Sequence, residues 1–125
     1  MARWLTVHNP ARTPSLVVRA RWCVDFACRL RGLTWRRSLD PGTGLLLVQS
    51  GESRSNAAIH MWAVFFPLGV VWLDSQRRVV DVCRALPWRI YVPRSAARYV
   101  LEGEPTILER VAVGEVLEFV DDAYP

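Results

Sequence analysis

The chain contains no lysine: all sixteen of its basic residues are arginine, set against twelve Asp and Glu for a formal net charge of +4. Arginine forks onto carboxylates and phosphates and stacks on aromatic rings, but its exclusive use reads first as a matter of base composition. Cysteine is also scarce. Cys23, Cys28 and Cys83 form an odd set without paired spacing, which argues against a disulfide framework. Cys23 and Cys28 are five apart, neither a two-residue-gap knuckle nor a helical i, i+4 pair, so no metal is expected there. All three read as small buried hydrophobes. The start, MARWLTVHNP, has no long apolar stretch before Asn9 and Pro10, so no secretory signal is read and a reducing cytoplasm is the expectation. Phosphate loops and nucleophile elbows are missing too. The PGTG stretch has no Lys-Ser/Thr after it, and no serine sits in a strand-turn-helix glycine frame. Together these absences leave an enzyme unsupported and imply no cofactor.

What is present is one domain's worth of chain, residues 1–125, with 51% hydrophobic and 22% charged residues, a globular composition. Its charge is uneven. Residues 1–54 hold nine Arg against Asp25, Asp40 and Glu52, whereas residues 99–125 hold only Arg110 against seven carboxylates. An acidic last quarter can dock on a basic body, which weakens a nucleic-acid reading that needs its basic surface free.

Short strands dominate the pattern. The stretches ARWLTVH, SLVVRARW, LLLVQS, VVDVCRAL, AARYVLE and EVLEFV read as strands, separated by turn clusters such as NPARTP and SLDPGTG. In the second, Leu16, Val18 and Ala20 share one face and Val17, Arg19 and Arg21 the other. Phe26, Leu30 and Leu33 sit at helical spacing behind a potential Asp25 cap. Thr106 and Glu109 have capping-box spacing for one further helical turn. PWRIYVPRS, bounded by Pro87 and Pro93, reads as a loop or irregular edge. The fold class implied is mainly β: a single-domain β-sandwich or distorted barrel with one or two short helices.

The run IHMWAVFFPLGVVWLD, Ile59 to Asp74, is the most apolar in the chain. From Ala57 to Leu73 it would make a helix of about 25 Å, short of the ~30 Å hydrocarbon core. It also carries His60, Pro67 and Gly69 and is rich in β-branched and aromatic residues. It is therefore read as two strands, Ala58–Phe66 and Gly69–Asp74, each covered on both faces, and not as a membrane span.

Taken in order, RLRGLTWRRSLDPGTGLLLV, IHMWAVFFPLGVVWLDSQRRVVDV, ALPWR, AARYVLE and VGEVLEF resemble the bacterial and archaeal family called domain of unknown function 192, from about Val7 to Phe119. The resemblance implies a mainly β fold and no established activity. It aligns Arg29 or Arg31 with Gly32 and Leu33, and Arg36 or Arg37, with the family's Arg-x-x-Gly-Leu turn and following Arg. Ile59, His60, Pro67, Leu68 and Asp74 match its central motif. Pro87, Trp88 and Arg89 match one subgroup, and Ala97, Arg98, Val100, Leu101 and Glu102 the late strand. The chain departs from the family at Val64, Phe65 and Gly69, where Met, a basic residue and Asp are usual.

The candidate ligand-binding residues are Arg36, Arg37, His60, Trp88, Arg89 and Arg98. His60 is the titratable group inside the apolar run; it reads either as a hydrogen-bonded core histidine or as the centre of a polar pocket. Trp88 and Arg89 beside Tyr91, and Trp35 beside Arg36 and Arg37, are aromatic–arginine sets able to hold an anion or stack on a base, or else core lids with arginines paired to the acidic tail. The leading expectation is a binding module for an anionic ligand or a protein partner. A nucleic-acid binder and a His60-centred enzyme are the alternatives.

Overall fold

Alternating apolar residues set up the large sheet. The computed structural model describes residues 3–24, 28, 39–61 and 64–122. Its strands are β1 (Trp4–His8), β2 (Leu16–Cys23), β3 (Thr43–Ser53), β4 (Ile59–His60), β5 (Leu68–Leu73), β6 (Val79–Ala85), β7 (Ile90–Tyr91), β8 (Ala97–Gly103) and β9 (Glu118–Asp121). Seven form one sheet in the order β6-β5-β8-β3-β2-β1-β9, and β4 and β7 form a separate two-stranded sheet. All the large sheet's pairs are antiparallel except β2–β3. The chain is mainly β, as expected.

The sheet curls on itself. Arg78, just before β6, forms a bridge with Val116, just before β9. Val79 N–H donates to the Glu115 carbonyl at 2.8 Å, and Leu117 N–H to the Arg77 carbonyl at 2.9 Å. The two edge strands are thereby drawn together, giving a distorted barrel with few free backbone groups along that seam.

Its central strands are apolar on both sides, so each face needs a cover. All six residues of β5 are buried. Leu46, Val71, Leu73 and Leu101 face an inner cluster with Leu5, Val7 and Ile107. Leu45, Leu47, Val70, Trp72 and Val100 face an outer cluster that Ala57, Ile59, Met61 and Val64 cover. Trp72 is fully buried there, and its indole N–H donates to the Ala57 carbonyl at 2.7 Å, so the large ring leaves no polar atom unpaired.

Several details correct the sequence reading. Val17 is buried and Leu16 exposed, because a bulge at Val7/His8 pairs His8 with Leu16 and Val7 with Val18, shifting the face of the strand. Among the described residues, the first half of the apolar run is strand at Ile59–His60, in the small sheet, and Phe65 is exposed where burial on both faces was expected. The turn near Thr106 is a 3-10 helix over Pro105–Arg110. Its N-cap is Glu104 with no side-chain cap bond, and Pro105 opens it, so no capping box forms. Of the helix expected from Asp25, only Cys28 is described, and it is helical.

Cys23 and Cys28 form a disulfide, with Cα atoms 5.8 Å apart. The spacing argument against pairing fails because β2 ends at Cys23, and a chain leaving a strand can reverse within five residues. Cys83 is free and half-buried, and burial, reinforced by Asp81, pushes its thiol up to about 11. Among the described residues no helix is long and apolar enough to cross a membrane.

Candidate functional site

Fixing the charges shows which arginines are committed. Arg3 pairs with Asp121 at 2.8 Å, Arg12 with Glu115 at 3.2 Å and Arg19 with Asp122 at 2.6 Å. Arg12 and Asn9 hydrogen-bond the Glu115 carboxylate, which also accepts the Ala112 N–H, and its pKa is lowered, chiefly by those side-chain bonds. The acidic last quarter thus lies on the basic first strands, as the charge distribution suggested.

At the small sheet the pattern inverts. No Asp or Glu occurs between Glu52 and Asp74, nor between Asp81 and Glu102, and these are the two segments that build it. Ile59 pairs with Tyr91 and His60 with Ile90. Ile59 points into the outer cluster and Tyr91 packs against it. His60 and Ile90, directly opposite one another, share the solvent face. Val92 is two residues beyond Ile90. The tip is clamped by backbone bonds: Trp88 N–H donates to the Met61 carbonyl at 2.7 Å, and Met61 N–H to the Arg89 carbonyl at 2.6 Å.

Four large apolar side chains stand in solvent here: Phe65 at 48% exposure, Trp88 at 51%, Ile90 at 59% and Val92 at 51%. Phe65 meets Trp88 edge-on, with ring centroids 6.1 Å apart. Trp88 has φ +66°, a left-handed backbone that a bulky residue adopts only at a cost. Basic groups rim the cluster. Arg89 is exposed, Arg54 donates to the Pro93 carbonyl at 3.0 Å, and Arg94 is 3.9 Å from Asp81 with its side chain largely in solvent.

The sequence candidates are therefore divided. His60, Trp88 and Arg89 come together at this end, and His60 is exposed, which overturns the core-histidine reading: among the described residues the segment is strand at Ile59–His60, and the His60 face turns outward. Arg98 is held elsewhere. Its Nε donates to the Gln49 carbonyl at 3.1 Å and its guanidinium lies 5.4 Å from the Tyr99 ring, ties that brace β8 on β3. Arg36 and Arg37 lie outside the described residues. Tyr91 is structural, its hydroxyl accepting the Leu86 N–H at 2.9 Å. Phe65, Ile90 and Val92 were missed as surface residues; the readable signal was the pair of carboxylate-free segments.

Two further features lie apart. A cleft of about 280 Å³ is lined by Leu39, Phe66, Pro67, Glu104 and Pro105. Glu102 is buried between Leu45 and Val70, its register partners on β3 and β5, and burial raises its pKa to about 7. The departure at Gly69 also has a steric meaning. A Cβ there would lie 2.8 Å from the Glu104 carbonyl oxygen and 2.9 Å from Ile107, so glycine lets the 3-10 helix settle directly on β5. Phe65 belongs instead to the aromatic surface.

Comparison with known proteins places this architecture. Two solved structures share the fold. One is a Sinorhizobium meliloti protein named as a candidate transcription regulator, with TM-score 0.76 and 22% identity, covering 95% of this chain and 94% of that one. The other is a Novosphingobium aromaticivorans protein of unknown function, with TM-score 0.75 and 20% identity, covering 92% and 83%. Curated archaeal relatives are named only as UPF0127 proteins. That of Pyrococcus furiosus is 34% identical over 113 residues, 89% of this chain and 95% of the relative. That of Thermococcus kodakarensis is 40% identical over 90 residues, which span 72% of this chain but 56% of the longer relative. The sequence model of the family DUF192, described as "Uncharacterized ACR", matches residues 7–119, and the chain belongs to that family.

Proposed function

We propose that the protein is a binding module whose contact surface is the small-sheet end and whose partner is anionic. The observation that carries this is the coincidence of four exposed apolar side chains, Phe65, Trp88, Ile90 and Val92, with Arg54, Arg89 and Arg94 in segments free of carboxylates. A large apolar group held in water has a cost that use can offset, and the guanidinium groups around it give the surface one sign of charge. A DNA- or RNA-wide basic face is less favoured, because Arg3, Arg12 and Arg19 are already bound to carboxylates. A His60-centred pocket gains no support, since His60 sits on an open strand face and does not line the cleft.

The test is retention on immobilised heparin, a soluble polyanion, followed by salt elution. The wild type should be held at low salt, and the W88A/R89A double variant should elute early while its circular dichroism and Tm stay unchanged. No retention of the wild type at low salt, or equal retention of the variant, overturns the reading.

A further inference from the structure

Resting on that contact surface, we infer that its anionic partner is a lipid bilayer: the small-sheet end is a peripheral membrane-binding face that inserts Trp88, Phe65, Ile90 and Val92 among anionic headgroups. Three observations lead there. The apolar side chains are aromatic and aliphatic together, and all four stand about half in solvent. Tryptophan is suited to the headgroup level, where its ring meets the acyl boundary and its N–H stays wet. Second, the rim is basic, with the largely buried Asp81 behind Arg94 as its near carboxylate. An anionic leaflet repels carboxylates, and the segments 53–73 and 82–101 contain none, while Arg54, Arg89 and Arg94 stand beside the apolar tip. Each basic residue near such a surface raises partitioning by about fivefold.

Third, part of the backbone of the tip is already paired within the protein. Met61, Trp88 and Arg89 exchange the bonds described above, β4 and β7 pair with each other, and the Leu86 N–H is bonded to Tyr91. Backbone groups satisfied internally are what entry into a medium poor in water demands. A soluble acidic protein would use the same arginines and apolar groups, and it is the outcome marked by heparin retention without vesicle binding. The bilayer likewise accounts for both sets. This is interfacial docking by side chains at a loop tip, distinct from a membrane-crossing helix.

The experiment is co-sedimentation of the full chain with large vesicles of pure phosphatidylcholine and of phosphatidylcholine with about one-third phosphatidylglycerol, in parallel with heparin retention. Partitioning onto the anionic vesicles should exceed that onto pure phosphatidylcholine by about tenfold or more and fall with added salt. Trp88→Ala and Ile90→Ser, both at solvent-exposed positions, should each lower it by about fivefold to tenfold. Brominated lipid should quench the fluorescence of the wild type more than that of Trp88→Phe. If anionic vesicles fail to bind while heparin retention persists, the bilayer inference falls and the anion-binding reading stands. Vesicle binding insensitive to Trp88→Ala and Ile90→Ser also overturns insertion. Loss of both vesicle and heparin binding in the wild type overturns the two readings together.

Discussion

The two ends of this molecule treat the same residue type in opposite ways. At the β1–β2–β9 end, Arg3, Arg12 and Arg19 each meet a carboxylate, and Arg19 and Arg3 also lie over Trp4 and Trp22 at 4.2 and 4.5 Å. At the small-sheet end, the arginines stand around exposed aromatic and aliphatic groups with Asp81 as the one near carboxylate identified by an ion pair. Net charge and composition average these ends into a mildly basic protein. Only the placement of acids separates an end closed by internal pairing from an end left open.

The largest effect that sharpens this comparison concerns Glu102, the carboxyl that belongs to neither end. Its folded pKa of about 7 lies above the ordinary carboxyl value, so the folded state holds its proton more tightly than the unfolded state. Stability therefore falls as pH rises from the ordinary carboxyl range through about 7 and is fully reduced above it. Glu102→Gln should leave stability near pH 4 unchanged and raise it at pH 8 by about 3 kcal/mol, read as the shift of the urea midpoint. An equal shift at both pH values would show that burial does not set this group's charge.

Moving acid into the open end comes next. The R89E/R94E variant should lower heparin affinity by more than about tenfold, whereas R3Q and R19Q should change it by less than about twofold and act on Tm instead. Equal losses from both sets would erase the distinction between the ends. A smaller effect is expected at Glu115, whose lowered pKa makes its contribution one that is present above the ordinary carboxylate range and lost as pH falls through its folded value. Glu115→Gln should lower Tm at pH 7 and converge with the wild type in acid, as followed by thermal melts. The smallest change in stability is expected from Trp88→Gly. Glycine accepts φ +66° without strain, so Tm should hold or rise slightly, at the cost of vesicle binding. A clear fall in Tm would mean that the ring serves packing.

Much of the architecture was legible because burial imposes a period on the sequence. The alternation in SLVVRARW, VVDVCRAL and AARYVLE marked β2, β6 and β8, and the Pro67–Gly69 break marked where the apolar run divides. The failures share one cause: long-range placement overrides local pattern. Val17 moved inward because of a bulge set by β1. The segment around Ile59 kept its apolar residues, and Ile59, Met61 and Val64 cover a core with Phe66 packed against it, while His60 and Phe65 are left outside. The Cys23–Cys28 pair depends on how the chain reverses after β2, which residue spacing alone does not encode, and it removes the premise on which a reducing compartment was read. At the surface, Trp88 and Arg89 were visible as a proline-bounded aromatic–arginine pair; Ile90 and Val92 lie in the same segment, read as a loop or irregular edge, and their exposure follows from tertiary placement that the local pattern does not encode.

The pairing of β1 with β9 has a consequence in time as well as in space. Thr6 meets Val120, 114 residues further along the chain, and His8 meets Glu118. Until that segment emerges from a ribosome, β1 presents an open row of backbone donors and acceptors to neighbouring nascent chains, and the closing contacts at Arg78 and Val116 are missing as well. Residues 118–121 must therefore be made before the barrel can seal, and the edge of β1 stays open for as long as translation takes to reach them.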